Sequence, residues 1–155
     1  MLCLNKVSYE FDYDTNNLLN GIKDAKGNLY SINYSNDKAT KGTYPNGENY
    51  NINYLNGVTE VSKINENNIT IYTEKTKFDT NNGKVTEETD VDGDTTTYTY
   101  GNENNPYLVT KTIKNVDYQE LNENNEMVFK TKEVVTTTDY NENEDIKEKL
   151  MKKVM

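Results

Sequence analysis

The chain has 155 residues, 33% of them hydrophobic, and a formal charge of −9 with neither His nor Arg. That length allows one modest domain with little apolar material for a core. The missing imidazole excludes Ser-His-Asp and Cys-His catalysis and the His-containing zinc sites, and an acidic chain without guanidinium forks is a poor partner for nucleic acid.

Thirteen Tyr, with many Thr, Ile and Val, argue for strands over disorder. No apolar run approaches the roughly 20 residues that cross a bilayer, and the first residues lack a positive segment followed by an apolar stretch and a cleavage site. The single Cys3, in the apolar start Met1-Leu2-Cys3-Leu4, is expected inside a strand. From Val7 to Tyr13 the residues alternate, with Val7, Tyr9, Phe11 and Tyr13 on one face and Ser8, Glu10 and Asp12 on the other, as a strand with one wet face requires. Asp14 to Asn17 interrupts the pattern, Leu18 to Ile22 follows, and Asp24-Ala25-Lys26-Gly27 makes a turn in which Asp bonds nearby amides and Gly takes positive φ. Asn28 to Tyr34 is the next strand. A turn at Tyr44-Pro45-Asn46-Gly47 precedes alternating Tyr50, Ile52 and Tyr54. Asn56-Gly57 turns into Val58 to Ile64, and Ile69 to Tyr72 opens another paired segment. Around Gly93, Asp90 to Asp94 forms a turn before Thr96, Tyr98 and Tyr100; Gly101 to Pro106 is a loop, Tyr107 to Val116 is extended, and Met127 to Thr138 is one strand or a bent pair. Ile146, Leu150 and Val154 recur every four residues among Lys and Glu, so 141–155 is expected to be a charged tail or a short helix.

Repetition organises these elements. Tyr13-Asp14-Thr15-Asn16-Asn17 returns as Phe78-Asp79-Thr80-Asn81-Asn82 at an offset of 65, and Leu19, Asp24, Gly27 and Tyr34 return as Val85, Asp90, Gly93 and Tyr100 at 66, which places one inserted residue near Gly83. Within the longer unit, Gly27 to Gly47 and Tyr34 to Tyr54 are each 20 residues apart. Leu121-Asn122-Glu123-Asn124-Asn125 also echoes Ile64-Asn65-Glu66-Asn67-Asn68 at 57. A unit of this size holds two short strands and two turns but no crossover helix, so it is a hairpin. The predicted architecture is all-β: antiparallel repeated hairpins over 1–140 in an extended or coiled sheet, followed by the 141–155 segment.

The aromatic-Asp start, the later apolar residue, the Asp-x-x-Gly turn and the following Tyr resemble the YD repeat of the RHS family. In the first copy these are Tyr13-Asp14, Leu19, Ile22, Asp24, Gly27 and Tyr34; in the second, Phe78-Asp79, Val85, Asp90, Gly93, Tyr98 and Tyr100, with Tyr44 to Tyr54, including Gly47, as a weaker copy. Where the family usually carries Gly-Arg-Leu, this chain has Asn17-Leu18-Leu19 and Gly83-Lys84-Val85. The resemblance covers Val7 to Thr112, with an extension toward Thr138. It implies a noncatalytic structural module of a bacterial surface or toxin-delivery protein, secreted or surface-exposed as part of a longer polypeptide, in a family of β-sheet strips that coil into shells around toxins. Its expected partners are neighbouring repeats or a second copy through sheet edges, a toxin domain, or cell-surface glycan. Two other readings stay open: a carbohydrate- or protein-binding module, and a small acidic immunity protein of the cytoplasm.

No catalytic, cofactor-binding or metal-ligating residue is expected. Asp12 and Asp14 are read as a same-face pair with structural roles rather than a glycosidase pair. Asp90, Asp92 and Asp94 superficially resemble a calcium loop, but its twelfth position is Gly101 where a bidentate Glu would be needed. Tyr30, Tyr34, Tyr50, Tyr54, Tyr98 and Tyr100 are expected to form aromatic ladders on the packed face; the sharper alternative is a shallow sugar-binding stripe.

Overall fold

The computed structural model describes residues 8–154, so the expectations for Cys3 and Val7 lie outside the described residues. Twelve strands are present: β1 Glu10–Tyr13, β2 Leu19–Lys23, β3 Leu29–Ser35, β4 Lys38–Thr43, β5 Asn49–Leu55, β6 Val58–Ile64, β7 Thr70–Phe78, β8 Val85–Thr89, β9 Thr95–Tyr100, β10 Val109–Leu121, β11 Met127–Tyr140 and β12 Ile146–Val154. They pair in chain order in one sheet, and every resolved register is antiparallel. Short turns dictate this, because a hairpin can join only antiparallel neighbours. The fold is all-β, as predicted. Among the described residues there is no helix, and hence none long and apolar enough to cross a membrane.

The helix alternative for 141–155 is corrected: Asn141 to Asp145 is a loop and Ile146–Val154 is β12, in register with β11 from Tyr140↔Ile146 to Glu133↔Val154. Spacing by four satisfies period two as well as a helical period, and β11 offers a ladder that an isolated short helix lacks. Met127–Tyr140 is a single strand. The loop after Gly101 runs to Leu108.

Two compact units are distinguished, one of Met1–Tyr54 with Glu60–Thr73 and the other of Leu55–Thr59 with Glu74–Met155. In the first unit, Tyr30 meets Tyr44 edge to face at 5.5 Å, Tyr44 meets Tyr50 at 5.7 Å, and the Tyr50 and Tyr72 hydroxyls lie 3.3 Å apart. In the second, the long ladder of β10 and β11 runs from Lys111↔Thr137 to Leu121↔Met127. No hydrophobic side chain among the described residues is fully buried. The tyrosines expected on a packed face are therefore half-buried, and Tyr54 is exposed. Tyr tolerates this because its ring can cover apolar neighbours while its hydroxyl finds a polar partner.

Candidate functional site: the loops and tyrosine clasps

One loop design recurs along the chain. In the Asp14 loop, the Asp14 amide donates to Leu18 O at 2.9 Å, the Asn17 amide returns to Asp14 O, and Asp14 Oδ1 accepts from the amides of Asn16 and Leu18. The same bonds, shifted along the sequence, occur at Asp24, Asn65, Asp90, Asn122 and Asn141. The fourth position takes positive φ in each: Asn17 at 61°, Gly27 at 86°, Asn68 at 61°, Gly93 at 85°, Asn125 at 59° and Glu144 at 66°. Gly and Asn suit that conformation. Glu144 adopts it without that advantage. A side-chain oxygen at the first position satisfies two amides that the ladder leaves free, which is why Asp or Asn stands there.

Two loops vary the scheme. Tyr44 opens the third loop in place of Asp or Asn, so Asn46 Oδ1 accepts from the Glu48 amide while Gly47 takes φ 88°. In the Asp79 loop the closing bond runs from the Asp79 amide to Lys84 O at 2.8 Å, one residue farther than in the Asp14 loop. The residue that shifted the repeat offset is housed here, with Gly83 at φ 73°.

Tyrosines then tie strand ends to loop necks. Tyr34 Oη donates to Leu19 O and Tyr100 Oη to Val85 O, both at 2.8 Å, so the 66-residue sequence offset is reproduced in donor and acceptor alike. Tyr140 makes the same bond to Val109 O at 2.8 Å. In all three, the acceptor begins the strand after a loop and the donor sits at the end of the neighbouring strand. Tyr54, near the end of β5, instead lies under the Lys38 ammonium, 5.0 Å from its ring. Lys84 stands likewise over Tyr100 at 5.1 Å and over Tyr107 at 5.0 Å. Among the other predicted positions, Tyr13 is exposed at the end of β1, and the Phe78 amide donates to Gly57 O at 2.9 Å.

The carboxylates are committed to loop geometry and to lysines. Hydrogen bonds from the Asn28 side chain and backbone hold Asp24 below the usual carboxylate range. Asp90 is lowered chiefly by Lys114, whose ammonium lies 3.0 Å from Asp90 and 3.3 Å from Asp94 and is itself raised. Glu48 is lowered by Asn46 and then by Lys63 at 3.1 Å. Tyr98, hydrogen-bonded to Glu88, is pushed up to about 12, first by desolvation and then by that carboxylate. Asp12 and Asp14 do not form the pair read from the sequence, because Asp14 belongs to the loop. No cluster of three metal-ligating side chains occurs among the described residues.

Two shallow cavities of the second unit lie near the Tyr140 clasp, about 430 Å³ beside Asn102 and Lys147 and about 260 Å³ between Tyr98, Tyr140 and Lys149. A third, of about 340 Å³ in the first unit, is lined by Lys38 and Tyr54. Sequence reasoning missed Asn65, Asn122 and Asn141 as loop-opening residues and Tyr140 as a clasp. The echo between residues 64–68 and 121–125 marks two of these loops, whose hydrogen bonds coincide.

No family model matches the chain, and no curated protein matches it. A solved chain of the Photorhabdus luminescens Tc holotoxin pore is similar in fold, with a TM-score of 0.56 over 94% of this chain at 12% identity. This chain spans 9% of that chain's length.

Proposed function

We propose that the chain is a noncatalytic β-repeat module of the YD/RHS type, a scaffold segment of a bacterial surface or toxin-delivery protein. The observation that carries this reading is the loop-and-clasp unit, whose Tyr34–Leu19 and Tyr100–Val85 bonds recur at the offset of the sequence repeat. The fold likeness to the Tc holotoxin chain supports it. Mechanically, each Asx loop reverses the chain, each Tyr hydroxyl fixes a loop neck, and the ladder hands its register to the next hairpin. Such a module works by continuing a sheet, in a secreted or surface setting, next to further repeats or a toxin domain. The Lys38–Tyr54 and Tyr98–Tyr140 cavities favour a second reading, glycan or protein binding, because ring faces beside hydroxyl and ammonium donors suit sugar recognition.

The test is an immunoblot of fractionated source cells with an antibody to this chain, followed by mass spectrometry of the band. A secreted or surface polypeptide far larger than 17.9 kDa that continues into further repeats is the expected result. A cytoplasmic species of 17.9 kDa would overturn the scaffold reading in favour of an immunity protein.

A further inference from the structure

Asn followed by Gly is the pair of residues most prone to cyclise, because Gly has no Cβ to shield its amide from the Asn side chain. The chain carries this pair at Asn20, Asn46, Asn56 and Asn82, and the fold holds the four differently. Asn20 and Gly21 lie within β2, with Gly21 buried opposite Asp12 and Ser31. Asn46 Oδ1 accepts from the Glu48 amide at 3.1 Å, and the Gly47 amide donates to Tyr44 O at 3.0 Å. Asn82 is held at both side-chain atoms, Nδ2 donating to Asp79 Oδ2 at 2.8 Å and Oδ1 accepting from the Lys84 amide at 2.9 Å, while the Gly83 amide donates to Asp79 O at 2.7 Å. Asn56 and Gly57 form the two-residue turn between β5 and β6. Asn56 is exposed, and among the described residues neither its side chain nor the Gly57 amide enters a hydrogen bond. The two reacting groups are therefore adjacent, wet and unrestrained at this turn alone of the four.

We propose that Asn56 is a site of spontaneous deamidation and isoaspartate formation. The Gly57 nitrogen attacks Asn56 Cγ, a C–N bond forms, and the side-chain amide leaves as ammonia with the proton that Gly57 gives up, which closes a succinimide. Water then opens the ring. Addition at Cγ yields Asp with the peptide restored; addition at the Asn56 backbone carbonyl yields isoaspartate, whose main chain runs through Cβ. Either product gains one negative charge, but only isoaspartate lengthens the turn. Gly57 O accepts from the Phe78 amide at 2.9 Å, and a Cβ on Gly57 would stand 3.1 Å from Phe78 O and 3.2 Å from Thr80 Cγ2. A longer main chain has little room there, so isoaspartate at this position releases the Phe78 bond beside the Asp79 loop.

The test is incubation of the purified full chain at mildly alkaline pH, with conversion at each Asn followed by fragment-ion mass spectrometry. Asn56 is expected to convert at least about tenfold faster than Asn46 or Asn82, since each of those must first give up two or more hydrogen bonds. In urea those bonds are gone and the rates should converge. The aged chain should accept methyl groups from an isoaspartyl methyltransferase and lose hydrogen-exchange protection at the Phe78 amide. An Asn56→Asp chain, which gains the charge without rerouting the main chain, should keep that protection. An Asn56→Gln chain, whose cyclisation needs a larger ring, should remain unmodified and protected over the same interval. Native Asn56 that persists as long as Asn46 and Asn82, or an order of rates unchanged by urea, overturns the assignment. Full Phe78 protection in chains that carry isoaspartate at this position overturns its structural consequence.

Discussion

At the residue scale, the determining group is the side-chain oxygen at the first loop position. Asn65 Oδ1 accepts from the amides of Asn67 and Ile69 at 3.0 and 2.9 Å. Asn65→Ala frees both amides and is expected to cost about 1 kcal/mol, whereas Asn65→Asp keeps the acceptor and should lie near wild type in urea melts. Ionisation follows the same logic. Asp24 and Asp90 are lowered, by Asn28 and by Lys114 respectively. Depressed folded pKa values stabilise above the unfolded carboxylate pKa of about 4 and lose that contribution as pH falls through the folded values. The Asp24→Asn/Asp90→Asn chain should therefore show a flatter acid limb in melting temperature against pH. Tyr98 has the opposite sign: raised from 10.0 to about 12, it stabilises fully below pH 10 and loses that contribution as pH climbs through 12. Tyr98→Phe should remove this alkaline loss, read from thermal melts beside a phenolate absorbance titration. Asp14, Asp24, Asp79 and Asp90 were legible in the sequence because Asp beside Asn and Gly has few other uses there. Lys84 was not legible, since its place over two rings depends on tertiary geometry.

At the element scale, loop length sets register, and the chain contains its own control. The Asp14 and Asp79 loops share a sequence, yet the second closes one residue later. Both hand over with the same irregularity, Tyr13↔Leu19 before Asp12↔Gly21 and Phe78↔Val85 before Lys77↔Glu87. The extra residue is absorbed within the loop. Deleting Gly83 is thus expected to regenerate the shorter loop and change stability by less than about 1 kcal/mol, because the ladder beyond it keeps its pairing. Deleting Asn16 instead would break the Asx bonding and cost more, and comparing the two urea midpoints checks this. Strands with aromatic alternation, such as β3, β5 and β9, could be read directly. The Lys38–Thr43 strand could not, because Lys-Ala-Thr-Lys-Gly-Thr carries no alternation and is held by its neighbours' ladders. β12 was misread because spacing by four fits two periods, and its pairing with β11 is non-local information that composition does not hold.

At the scale of the whole molecule, no described hydrophobic side chain is fully buried, so stability cannot be drawn from one shared core. It must come from ladders, loop bonds and half-buried aromatic contacts, each reaching an adjacent strand or, as between Tyr50 and Tyr72, the strand beyond it, as in repeat proteins. Perturbations should then stay local. Tyr34→Phe removes the bond to Leu19 O and is expected to cost about 0.5–1.5 kcal/mol. By hydrogen exchange, that loss should appear in residues 14–35, around β2, β3 and the Asp14 loop, with protection across β8 to β12 unchanged. Tyr100→Phe, which removes the corresponding bond to Val85 O, should produce the mirror pattern in residues 79–100. If either substitution instead lowered protection evenly along the chain, the molecule would be unfolding as one cooperative body. Stability would then have to be assigned to coupling among hairpins rather than to the repeated clasp.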